Sequence, residues 1–66
     1  MTVGSIVEHW ALGRGILLAV EEMESGPPII HVHWNEPVEF EDDGEIVVQH
    51  EYWTNPDEVT VISEAK

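Results

Sequence analysis

Nowhere in this 66-residue chain do apolar side chains recur at i, i+3, i+4 and i+7 through three turns, so no amphipathic helix is available to build the fold. The apolar residues come instead in short runs, several with a period of two, separated by glycine, proline, asparagine and aspartate. That pattern belongs to strands and tight turns, because successive side chains of a strand point to opposite faces. The one helix-like stretch, Ile16 to Met23, is short and follows two glycines. The expectation is an all-β protein: five short strands and one late helical turn in a single domain over residues 1–66, closed or half-closed into a small barrel that hides its sheet edges.

Strand one is expected over Ser5 to Trp10 and strand two over Gly15 to Glu24. Ala11-Leu12-Gly13-Arg14-Gly15 turns the chain between them, with Val7 and Leu12 able to bury on either side. Two glycines two apart point to a positive φ or a close backbone approach. Ile16-Leu17-Leu18-Ala19-Val20 does not alternate, which a bulge or a sharp bend explains. Ser25-Gly26-Pro27-Pro28 is a turn, since proline cannot donate to a ladder.

In strand three Ile30, Val32 and Trp34 share the core face, and His31 and His33 share the other. Asn35-Glu36-Pro37 interrupts it; Val38 and Phe40 then resume inward, with Glu39 and Glu41 outward. Asp43-Gly44 is a two-residue hairpin signal. Strand four is expected to carry Ile46, Val48 and Tyr52 inward. Trp53 to Asp57 break it, with one tight helical turn, and Val59, Val61 or their neighbours close the chain as strand five.

Charge narrows the function. Fourteen acidic residues face two basic ones, for a net charge of -12. Binding to nucleic acid is driven by lysine and arginine neutralising phosphates. Arg14 and Lys66 alone do not supply that, and attraction to anionic membranes fails for the same reason. The charge favours basic partners. A chain this size buries only about 60% of its unfolded surface, and without cysteine it has neither a disulfide nor a thiolate metal site. Met1 is followed by Thr2, Val3 and Gly4 rather than by a basic stretch and a long apolar run, so a cytoplasmic location is expected.

The segment Gly4-Ser5-Ile6-Val7-Glu8-His9-Trp10-Ala11-Leu12-Gly13-Arg14-Gly15-Ile16-Leu17 resembles the opening of the Tudor-like barrels at the C-termini of bacterial superfamily-one DNA helicases. The RNA-polymerase-binding domains of CarD-type transcription regulators open similarly. Gly4, Val7, His9, Leu12, Gly13, Gly15 and Leu17 match that pattern in register. Val38-Glu39-Phe40-Glu41-Asp42-Asp43-Gly44-Glu45 is similar to the family's third strand and acidic hairpin. The resemblance implies a Tudor-like, Src-homology-type barrel serving as a protein-binding module, with RNA polymerase as one partner class.

Candidate chemistry is sparse. His31 and His33 share a strand face as a two-imidazole chelate, but the spacings of structural zinc sites are absent, and no metal or cofactor is expected. The carboxylates have no cleft to span, the serines have no base beside them, and Gly13-Arg14-Gly15 is too short to cradle phosphate, so no catalytic residues are assigned. The aromatics and acids say more. Trp34 is expected in the core. Trp10 and Trp53 are harder to bury, and Tyr52 and Trp53 cannot both face inward. Exposed tryptophans are typical interface anchors. Glu36, Glu39, Glu41, Asp42, Asp43 and Glu45 crowd one hairpin. The binding residues assigned are therefore Trp10, Arg14 and Trp53 as anchors and Glu39, Glu41, Asp42 and Asp43 as an electrostatic guide, with Gly13, Gly15 and Gly44 in structural roles. The partner is expected to be a protein with a basic surface, the monomer being favoured and the oligomeric state left open. Two alternatives are a phage-type acidic mimic of DNA and a structural or decoration subunit of a larger assembly.

Overall fold

The computed structural model describes residues 1–65. Five strands follow one another, β1 (Ile6–His9), β2 (Gly13–Glu21), β3 (Ile29–Asp42), β4 (Glu45–Thr54) and β5 (Val59–Ser63), with one 3-10 turn at Pro56–Glu58 between the last two. All ladders are antiparallel, and the spatial order is β4-β3-β2-β1-β5.

The expected barrel is not closed. β4 and β5 are the edges of the sheet, with no ladder between them. The sheet is nonetheless strongly curled. Four strand spacings would part β4 from β5 by roughly 19 Å in a flat sheet. Asn55 to Glu58 would have to run almost fully extended to cross that gap. Pro56–Glu58 is instead a compact turn, so the two edges approach each other at that end.

The concave side holds the core: Val7, Leu17, Ile30, Val32, Trp34 and Val38, with Leu12, Phe40, Tyr52, Val59 and Val61 packed around them. Trp34 is fully buried, as expected. Its indole N–H donates to the Tyr52 carbonyl at 3.3 Å, and its own carbonyl accepts from His50 Nδ1 at 3.0 Å. These bonds brace an irregularity in the β3–β4 ladder. Between the pairs His33–Glu51 and Val38–Gln49, Trp34, Asn35, Glu36 and Pro37 stand opposite His50 alone. Pro37 thus falls where no ladder hydrogen bond is asked of it.

The non-alternating run in β2 does contain a bulge: the register shifts between Leu17 and Ala19, at Leu18. The two glycines of the first turn do different work. Gly13 has φ +83 and open space around it, whereas a Cβ on Gly15 would stand 2.6 Å from Val32 Cγ1 and 2.7 Å from the His33 carbonyl oxygen. Gly15 lies opposite Trp34, so β2 and β3 approach closely there because no side chain intervenes.

Beyond Trp34, β3 leaves β2 and continues with β4 as a two-stranded arm, ending in the turn Asp43-Gly44. Both turn residues have positive φ, 51 and 79, as a type I′ turn requires. This turn overturns one expectation. It pairs Glu41 with Ile46 and Glu39 with Val48, so Ile46 and Val48 share the outward face of those carboxylates and are 67% and 52% exposed. Val47, opposite Phe40, takes the inward position instead. Smaller corrections concern the strand limits. β1 starts at Ile6, β2 stops at Glu21, and β4 runs through Trp53 to Thr54, so the break comes only at Asn55.

Candidate functional site

His9, at the end of β1, organises the first turn. Its Nδ1 accepts from the backbone N–H groups of Ala11 and Leu12, at 3.0 and 3.2 Å. The ring proton therefore sits on Nε2, which donates to Glu58 Oε2 at 3.2 Å. Thr54 Oγ1 donates to the same carboxylate oxygen at 3.0 Å. The hydrogen bond from His9, seconded by Thr54, holds the Glu58 carboxyl below the ordinary glutamate range. A buried imidazole thus ties the β1–β2 turn to the 3-10 turn. Ser5 closes the other end in the same way. Its hydroxyl donates to Glu64 at 2.9 Å and accepts from the Ala65 N–H at 3.0 Å, and the first of these bonds lowers the Glu64 pKa.

Of the assigned anchors, Trp10 follows His9 at the apex of the turn and is 84% exposed. Its ring stacks on His9 with centroids 5.5 Å apart and planes at 23°. Arg14 pairs with Glu8 across the β1–β2 ladder, Nε to Oε2 at 3.0 Å. Trp53 is 47% exposed; its neighbour Tyr52 turns inward onto Phe40, with ring centroids 5.1 Å apart. Trp10 and Trp53 do not form one cluster. Trp10 borders a shallow groove with Glu8, Glu58 and Thr60, while Trp53 borders one with Leu18, His31 and Glu51 and another with His9, Leu12 and Glu58, so that Glu58 lines a groove with each tryptophan.

Besides Trp53, His31 and His33, the convex face of the sheet carries residues to which the sequence reading assigned no binding role, Ile16, Leu18 and Glu51 among them. Across β2, β3 and β4, Ile16, His33 and Glu51 form one row, and Ala19, His31 and Trp53 the next. Ile16 and the bulged Leu18 are exposed there. The arm extends this face with Ile46 and Val48, interleaved with Glu39 and Glu41. Asp42, Asp43 and Glu45 are exposed at its tip. The outward position of Ile46 and Val48 was implicit in the two-residue turn: once Glu41 faces outward, the residue paired with it must as well.

His31 and His33 do lie on one face. His31 Nε2 is 3.7 Å from Glu21, and His33 stacks on His50 with centroids 5.3 Å apart and planes at 8°. Among the described residues, no three His, Cys, Asp or Glu side chains cluster as a metal site. No described helix is long and apolar enough to cross a membrane. No protein family, curated protein or solved structure matches the chain.

Proposed function

We propose that this chain is a protein-docking module, a curled Tudor-like sheet whose convex face and hairpin arm receive a basic surface of a partner protein. The observation that carries this reading is the composition of that face. Trp53, Leu18, Ile16, Ile46 and Val48 stand exposed among Glu39, Glu41 and Glu51. An apolar surface rimmed by polar groups is what an interaction site presents, and the acidic rim selects basic partners and speeds their encounter. The likeness of the Gly4–Leu17 segment to the helicase and CarD-type barrels favours a transcription or DNA-repair complex, RNA polymerase included, as the partner class. The short connector that draws β4 and β5 together supports the barrel-like end of that resemblance.

A partner purified by its retention on the immobilised chain provides the test. Trp53→Ala should weaken its binding by about 30-fold, the effect of removing an interface anchor worth ~2 kcal/mol. Loss of a single hairpin carboxylate should cost less than threefold and reduce the salt dependence. A DNA mimic would behave in the opposite way, with duplex DNA displacing the chain and Trp53→Ala having no effect. Fixed stoichiometry within a particle, also insensitive to Trp53→Ala, would indicate a structural subunit.

A further inference from the structure

We propose that Trp10, Glu58 and Glu8 form a subsite for an arginine side chain of the partner protein. This subsite rests on the docking reading; it centres on Trp10 rather than Trp53, although Glu58 also borders a groove with Trp53.

Three features converge on the groove. First, Trp10 is nearly fully exposed, and burial does not explain its presence at the apex of the turn. Its ring is still not left to swing freely, because it stacks on His9, and three hydrogen bonds fix His9. A backed, pre-oriented indole loses little freedom when a ligand covers its open face. Second, Glu58 borders the same groove. Both of its hydrogen bonds end on Oε2, and its side chain remains 44% exposed. An anchored, accessible carboxylate is thus held near an aromatic face. Third, Glu8 also borders the groove, and the guanidinium it already holds, that of Arg14, is bound through Oε2 alone, at 3.0 Å.

An aromatic face with flanking carboxylates suits a cation, and the chain's net charge of -12 disfavours an anionic occupant. Arginine fits better than lysine. Its planar guanidinium stacks on indole and presents a fork of donors to a carboxylate, whereas an ammonium group offers a compact, strongly hydrated charge.

The chain carries its own probes, three indole N–H groups at Trp10, Trp34 and Trp53. The Trp34 indole is buried and hydrogen-bonded, which makes it an internal reference. The experiment is an NMR titration of the full chain with the capped pentapeptide Gly-Arg-Gly-Arg-Gly and its lysine and citrulline counterparts. Citrulline keeps the shape of arginine and removes the charge. The arginine peptide should move the Trp10 indole signal saturably and leave that of Trp34 in place. The lysine peptide should bind at least threefold more weakly, and the citrulline peptide should cause no shift. Trp10→Ala, at a site with almost no packing to lose, should weaken arginine-peptide binding roughly 3- to 30-fold. Glu58→Gln, which retains hydrogen-bonding capacity towards Thr54 and His9, should weaken it to a similar degree.

Equal binding of the lysine or citrulline peptide, unchanged affinity in Trp10→Ala, or a Trp10 signal that stays still at millimolar peptide would each overturn the subsite. Shifts confined to backbone amides of Glu39 to Glu45 would also reject it while leaving the docking reading intact. That reading fails separately, by an unaltered partner affinity in Trp53→Ala.

Discussion

Replacing Gly15 with alanine should damage this fold far more than the same change at Gly13, although the two residues share one turn. At Gly13 the cost is conformational. Its φ of +83 is unfavourable for any residue with a Cβ, but nothing lies within 4 Å of where that Cβ would stand. A non-glycine residue held in the left-handed region loses about 1–2 kcal/mol. At Gly15 the cost is steric. The new Cβ would meet Val32 Cγ1 at 2.6 Å, the His33 carbonyl oxygen at 2.7 Å and Trp34 Cα at 3.0 Å. Two of these three neighbours are backbone atoms of the adjacent strand, and the third belongs to a fully buried side chain. Relief requires β2 and β3 to separate, which breaks ladder hydrogen bonds and loosens the packing of Trp34. Overpacking typically costs about 1–3 kcal/mol and occasionally more, and a clash with backbone that cannot give way belongs at or above about 3 kcal/mol. In a domain this small each kcal/mol lowers Tm by roughly 4–8 °C. Gly13→Ala should therefore melt about 5–15 °C below the parent, and Gly15→Ala more than 12 °C below it or not fold at all. Thermal unfolding followed by far-ultraviolet circular dichroism and tryptophan emission measures both. A Gly15→Ala protein as stable as Gly13→Ala would refute the close approach of β2 to β3.

His9→Ala should destabilise the chain by about 2–4 kcal/mol in urea unfolding, because the Ala11 and Leu12 N–H groups and Glu58 lose their shared partner; a loss under 0.5 kcal/mol would contradict the turn lock. Glu58 and Glu64 have lowered pKa values in the folded chain, so their contribution to stability is complete above the ordinary glutamate range. It is lost as pH falls through the lowered folded values. The stability gap between the parent and Glu58→Gln should accordingly close in acid, and a gap that stays constant from neutral pH to pH 3 would refute the assignment. Gly44→Ala should cost about 1 kcal/mol, a purely conformational penalty at φ +79 with open space around it; a much larger loss in the same melt would mean that the arm packs against something else.

Much of the architecture was legible because local signals agreed with one another. The face shared by Ile30, Val32 and Trp34, the Asp43-Gly44 turn and the bulge after Leu17 all follow from side-chain period and turn chemistry. Closure of the barrel was not legible, since whether β4 pairs with β5 depends on sheet curl rather than on any local pattern. The inward assignment of Ile46 and Val48 failed because hydrophobicity was given more weight than register. In a thin arm with no second layer over its outer face, an aliphatic residue goes where the turn places it. At the site, the exposure of Trp10 and Trp53 and the acidic arm followed from the sequence. The role of His9 did not, because its partners, Ala11, Leu12 and Glu58, are set by backbone geometry at the turn and by a residue 49 positions away.

Hydrogen exchange of the chain alone and saturated with its purified partner addresses the docking reading most directly. Slowed exchange should concentrate in β4, from Glu45 to Thr54, and at Leu18, with further slowing around Trp10. Protection spread evenly over the chain, or confined to β5 and the segment from Glu22 to Pro28, would show that the partner does not sit on the convex face.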